Sequence, residues 1–262
     1  MKIFFALTSL VFVLLIVNEC NEHKDYTDLG KAETLLEVKN GLSLEKVNDK
    51  FKSDIDVVTE AVKVRGNNIG YASDSLKKNR DLAQMAIEQN PHSLNFVDPG
   101  FKKDKDLVLI AVAGDGASIW IVDTELKKDK EVLLTAVSNY GPALRHASES
   151  LKKDEEVVMA ALLNWPVSLA YADPELRDSK EFMLGAVKER PSTLASASEK
   201  LKSDKQLVIE SLKKSKFGYS WQYVGENLKQ DEDVLRTACN ALIDSAKKAE
   251  RNRFLLDHCT TD

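Results

Sequence analysis

The chain is poor in the residues that build stapled or reactive sites. Its 262 residues include three cysteines, four histidines, six prolines and eleven glycines. Three cysteines are too few for a disulfide-stapled miniprotein. His23, His92, His146 and His258 are scattered, and the chain has no His-x3-His or Cys-x2-Cys pair. A zinc site of ordinary spacing is therefore not expected. Nor is there a glycine-rich phosphate loop or a Gly-x-Ser-x-Gly elbow, the signatures of nucleotide sites and many hydrolases. No Asn-x-Ser/Thr sequon occurs. With 37 basic against 42 acidic residues, a net charge of −5, the chain lacks the bulk positive charge of general nucleic-acid binders. What remains is an ordinary folded composition, 43% hydrophobic and 30% charged, too apolar for a disordered chain.

Ile3 to Val17 is apolar apart from Thr8 and Ser9 and follows Lys2. As a helix it would span about 22 Å, against roughly 30 Å for a bilayer core. A short apolar region after a basic start fits a secretory signal or retained anchor over residues 1–20. Cys20 sits where a lipidated cysteine would sit, although Glu19 before it is bulkier and more polar than such sites favour.

The body of the chain repeats every 25 residues, as solenoid arrays do. Repeats begin at Phe51, Leu76, Phe101, Leu126, Leu151, Leu176 and Leu201. The next, at Leu228, is two residues late, the extra pair lying just before Trp221. Residues 21–50 read as a degenerate capping repeat, 51–227 as the tandem array, and 228–262 as a C-terminal capping helix and tail. That helix is expected from Glu232 to about Arg251.

Position 4 of the repeat is Asp54, Asn79, Asp104, Asp129, Asp154, Ser179, Asp204 and Asp231, all good helix N-caps. Position 6 is acidic in seven of eight copies, which suits a first helical turn. Apolar residues at positions 7, 8, 11 and 12, such as Val157, Val158, Ala161 and Leu162, mark one face of a helix. Position 16 is Gly or Pro in six copies, from Gly66 to Pro191, and ends it. Position 18, from Asn68 to Thr193, then reads as the cap of a second, shorter helix with apolar residues at 19, 22 and the next position 1. That helix is expected to bend near position 23. Within this frame "GDG" at 114–116 is a break between helices and "DKD" at 104–106 a cap and first turn. The expected fold is all-α: an α-solenoid of seven to eight two-helix repeats with capped ends.

A lone repeat has about five large apolar side chains, each worth roughly 1.5–3 kcal/mol when buried. Backbone ordering alone costs about 1–2 kcal/mol per residue, so neighbours must share a continuous core. Position 11 is alanine or serine in all eight copies, which implies close approach there.

Three groups of residues stand out as candidate sites. Position 2 is basic throughout, at Lys52, Lys77, Lys102, Lys127, Lys152, Arg177, Lys202 and Lys229. Stacking aligns them as a ladder, which either meets an anionic partner or is neutralised by acids at positions 4 and 6. Trp120, Tyr140 and Trp165 are large aromatics at positions that are polar or small in other copies. They are candidates for a partner-binding face or covers for a neighbouring turn. Cys239 replaces an aliphatic residue at position 12; it is either a buried thiol or, in an oxidising compartment, a disulfide partner of Cys259. Carboxylates recur in every repeat, whereas a catalytic pair should be singular, so no catalytic residue, metal site or cofactor is assigned.

The phrase "ALRHASESLKKDEEVVMAALLNWPVSLAYADPEL", from Ala143 to Leu176, resembles the tandem repeat family called domain of unknown function 4116. The resemblance covers roughly residues 50–240, with one family unit equal to about two 25-residue repeats. It implies an all-helical repeat protein with no established activity. The sequence therefore points to a non-catalytic scaffold for a protein or other macromolecule, exported or membrane-associated. A structural spacer and, more remotely, a cryptic enzyme are the alternatives.

Overall fold

The computed structural model describes residues 26–246. The signal-like segment with Cys20, and the tail with Cys259, lie outside the described residues. The chain divides into two compact units, with the boundary between Asp98 and Pro99.

Each repeat supplies one long helix. In the first unit these are α1 (Lys31–Lys39), α2 (Ile55–Val64) and α3 (Arg80–Gln89). In the second they are α4 (Lys105–Gly114), α5 (Lys130–Asn139), α6 (Glu155–Asn164), α7 (Lys180–Glu189), α8 (Lys205–Lys214) and α9 (Glu232–Ala246). Helices α2 to α8 begin one residue after position 4, whose side chain accepts first-turn N–H bonds. Asp129, for example, accepts from Glu131 and Val132, and Asp154 from Glu156 and Val157. Such bonds satisfy donors that the helix itself cannot. In each unit successive long helices pack against one another. The core is formed by positions 7, 8, 11 and 12, as in Val132, Leu133, Ala136 and Val137, each fully buried. The fold is an all-α array of tandem repeats.

The second half of the repeat differs from the expected short α-helix. Residues at positions 16–21 form a 3-10 segment, as in Gly116–Ile121, Gly141–His146 and Pro166–Tyr171. A separate short turn of helix follows, such as Glu149–Lys152 or Pro174–Asp178. The buried residues explain the choice. Gly116, Ile119 and Val122 are spaced by three, the period of a 3-10 helix. Position 18 is consequently not a cap but an interior position: Ser93, Ser118, Ser168 and Thr193 are buried. The cap falls at position 15, where Asn90 accepts from the His92 N–H and Asp115 from that of Ala117.

The two extra residues before Trp221 lengthen the 3-10 segment to eight residues, Lys216–Tyr223. Gly218 there adopts φ 66°, a left-handed conformation that glycine takes without a Cβ clash. Cys239 is half-buried on α9 and disulfide-bonded. Its partner is outside the described residues. Among those residues no helix is long and apolar enough to cross a membrane.

Candidate partner-binding surface

Within each unit, two sets of bonds link neighbouring layers. The first closes the C-termini of α2 and of α4 to α7. Asn164 at the end of α6 donates to the Ser138 carbonyl on α5 at 2.9 Å and accepts from the Gly141 N–H at 2.7 Å. Gln89 does the same one unit earlier, reaching the Val64 carbonyl and the Gly66 N–H. Asn139 donates to the Val112 and Ala113 carbonyls. Beyond Pro166 and Pro191 the partners are instead the cations Arg190, on the Leu163 carbonyl, and Lys214, on that of Lys188. Proline has no N–H to satisfy, so a pure donor suffices there.

The second set is ionic. Lys105 pairs with Asp129 and Glu131, Lys130 with Asp154 and Glu156, and Lys205 with Asp231 and Asp233, all within 3.0 Å. Lys180 pairs with Asp204, and Lys31 with Asp54 and Asp56. Each lysine at position 5 thus grips the N-cap of the next long helix. The bond to Lys105 holds the Asp129 carboxyl below its ordinary value, helped by first-turn N–H bonds and opposed by burial. Sequence reasoning missed these lysines, because position 5 also holds Ile55 and Glu155.

The position 2 ladder is mostly self-neutralised, but not by positions 4 and 6. Lys52 pairs with Asp49, Lys77 with Asp74, Lys152 with Glu149, Lys202 with Glu199 and Lys229 with Glu226, each three residues earlier. Most of each lysine side chain is covered; Lys202 is 17% exposed. The carbonyls of Lys52, Lys77, Lys102, Lys152, Arg177 and Lys202 also accept the N–H of the residue 21 or 23 positions on, from Ser73 to Gly225. These residues are therefore built into the stack. Arg177 follows Pro174 rather than an acid, and its buried Nε has no partner.

The aromatic candidates divide. Tyr140 is half-buried, its Cβ 2.9 Å from where a Cβ on Gly116 would lie, so it covers the preceding turn. The Trp165 Cβ sits in the same way over Gly141, at 3.0 Å, yet the residue is 54% exposed. Trp120 is exposed to a similar extent. Three further apolar residues of the Trp165 repeat are exposed: Leu163, Val167 and Tyr171. Positions 13 and 17, held here by Leu163 and Val167, carry Lys188 and Ser192 in the next repeat. Among the described residues no group of three or more His, Cys, Asp or Glu side chains is placed to hold a metal.

No curated protein and no solved structure matches the chain. The family model described as "Domain of unknown function (DUF4116)" matches five times, at residues 38–77, 60–102, 79–127, 129–177 and 179–221. The last two matches each span two 25-residue repeats less a residue or a few, as the resemblance implied. Together the matches take in most of residues 38–221, well over half the chain, and the chain therefore belongs to the DUF4116 family of tandem helical repeats.

Proposed function

We propose that this chain is a non-catalytic scaffold that binds a protein partner through the exposed edge of its 3-10 segments, in an exported or membrane-associated setting. The observation that carries the reading is that Leu163, Trp165, Val167 and Tyr171, all within one repeat, are exposed. Large apolar groups exposed in numbers are a feature of interaction surfaces, and tryptophan and tyrosine dominate binding hot spots. Carboxylates spread evenly through the repeats support a non-catalytic role. The setting rests on Ile3–Val17 and is tested by the intact mass of the mature protein.

The binding role is tested with a photo-crosslinker placed at Val167 in the full chain. A discrete crosslinked partner, lost when Trp120, Tyr140 and Trp165 are changed together to alanine, supports the scaffold. Because Tyr140 covers a turn, Trp165→Ala with Val167→Ser is the control that leaves packing intact. Indifference to both variants would favour a spacer.

A further inference from the structure

The position 2 ladder lacks an acid three residues earlier at Lys102, Lys127 and Arg177, and Lys127 is the step at which a second feature changes with it. Where Lys152 has Glu149 and Lys202 has Glu199, Lys127 has Thr124. Its ammonium instead donates to the Trp120 carbonyl at 3.1 Å. Among the described residues this is also the step at which the stapling bond, from the Ser148 N–H to the Lys127 carbonyl, is not made.

The next repeat brings two more nitrogen bases to the same place. Arg145 and His146 lie at positions 20 and 21, one layer on from Trp120 and Ile121, and the two 3-10 segments pack together. Arg145 Nε donates to His146 Nε2 at 3.0 Å. Burial, then the charges of Arg145 and Lys127, pushes the His146 imidazole below its ordinary value. Burial lowers Lys127 as well, against the pull of Asp123. The surrounding acids are already engaged. Asp123 accepts from the Glu125 N–H and lies 3.9 Å from Lys103; Glu125 pairs with Lys128, and Glu149 with Lys152. Lys127 and Arg145 are thus two cations without a carboxylate within ion-pair distance, on the same pair of 3-10 segments as the exposed Trp120.

We propose that Trp120, Lys127, Arg145 and His146 form a docking point for a short acidic peptide segment of a protein partner. Arginine offers a carboxylate two parallel hydrogen bonds, lysine adds a point charge, and the Trp120 face takes an adjacent apolar side chain. A membrane surface or a nucleic-acid strand calls for cations repeated along its length. Here the ladder lysines Lys152 and Lys202 are each paired with an acid, Glu149 and Glu199, so the ladder does not present an unbroken row of free cations. The proposal rests on the scaffold reading and adds the chemistry of what is bound.

The test uses the full chain and a fluorescein-labelled peptide of consecutive glutamates ending in leucine, with a glutamine counterpart, read by anisotropy at low salt. The glutamate peptide should bind roughly tenfold more tightly than its counterpart. Lys127→Met with Arg145→Gln should erase that preference, whereas Lys202→Met should keep it; circular dichroism of each variant establishes that the fold is retained. Equal binding of the two peptides, or equal loss in Lys202→Met, overturns the site. So does Lys127-dependent sedimentation with phosphatidylserine vesicles when the peptide does not bind. If the peptide preference is absent while crosslinking through Val167 persists, this site falls and the scaffold reading stands.

Discussion

The Asn164 side-chain amide bridges the end of one long helix and the turn of the repeat before it, accepting from the Gly141 N–H at 2.7 Å while donating to the Ser138 carbonyl. One amide group thereby satisfies two backbone groups that helix geometry leaves unpaired. Asn164→Leu removes both bonds and should destabilise by about 1–3 kcal/mol. Asn164→Lys keeps a donor but strands the glycine N–H and should fall between the two. Asn164→Gln should be tolerated, because Gln89 plays this part at Gly66. Urea unfolding of the three variants checks the order.

Neighbouring layers approach closely at Gly116. A Cβ on Gly116 would fall far inside contact distance of the Ala136 carbonyl oxygen. Both Gly116→Ala and Ala136→Leu overpack the same junction. Each should cost about 1–3 kcal/mol, and because they share a contact their effects should not add. An unchanged melting temperature in either variant would argue against this packing.

The hydroxyls of Ser118 and Ser168 are buried without a hydrogen-bond partner. Ala143 holds the same repeat position and is equally buried. Removing an unsatisfied polar group is neutral or favourable, so Ser168→Ala should raise thermal stability or leave it unchanged. A marked loss would mean that a partner, such as a bound water, serves this hydroxyl.

The long helices were legible in the sequence because their determinants are local. Asp129 caps the helix it precedes, and the apolar spacing of Val132 to Val137 lies within one helix. The conserved smallness of position 11 within the chain was also readable, since it reports on one contact repeated in each layer. The 3-10 segments were misjudged. The three-residue spacing of Gly116, Ile119 and Val122 is present in the sequence, but a pattern that short fits either helix type. The bridges from Asn164 and Lys105 were illegible for a different reason. Each joins residues 23 to 26 apart, and both need the layer register before their partners can be named. Trp120 and Trp165 were legible as large aromatics at positions that are small or polar in other copies, but whether each covers a turn or faces outward was not, since Tyr140 at the position of Trp165 is half-buried.

The position 5 clamps leave a gap between α6 and α7. Where position 5 is Lys105, Lys130, Lys180 or Lys205, the next N-cap is aspartate; where it is Glu155, the next N-cap is Ser179. The clamp is therefore missing between α6 and α7, and installing both halves, Glu155→Lys with Ser179→Asp, should restore it. The new aspartate would still cap α7, as Asp204 caps α8. The double variant should unfold at a higher temperature than wild type in low salt, and the gain should fade near 1 M salt, where the Debye length is about 3 Å. The sign of the pH effect follows from the existing clamps. A carboxylate held below its unfolded value, as Asp129 is by Lys105, contributes stability above that unfolded value, about 3.9. The contribution is lost as pH falls through the lower folded value. The added stability of the double variant should thus be full at neutral pH and vanish in acid. Glu155→Lys alone should gain less, because only Glu181 at position 6 then offers it a charge, as Glu131 does for Lys105. If the two single changes together matched the double variant, the lysine and the aspartate would not be partners.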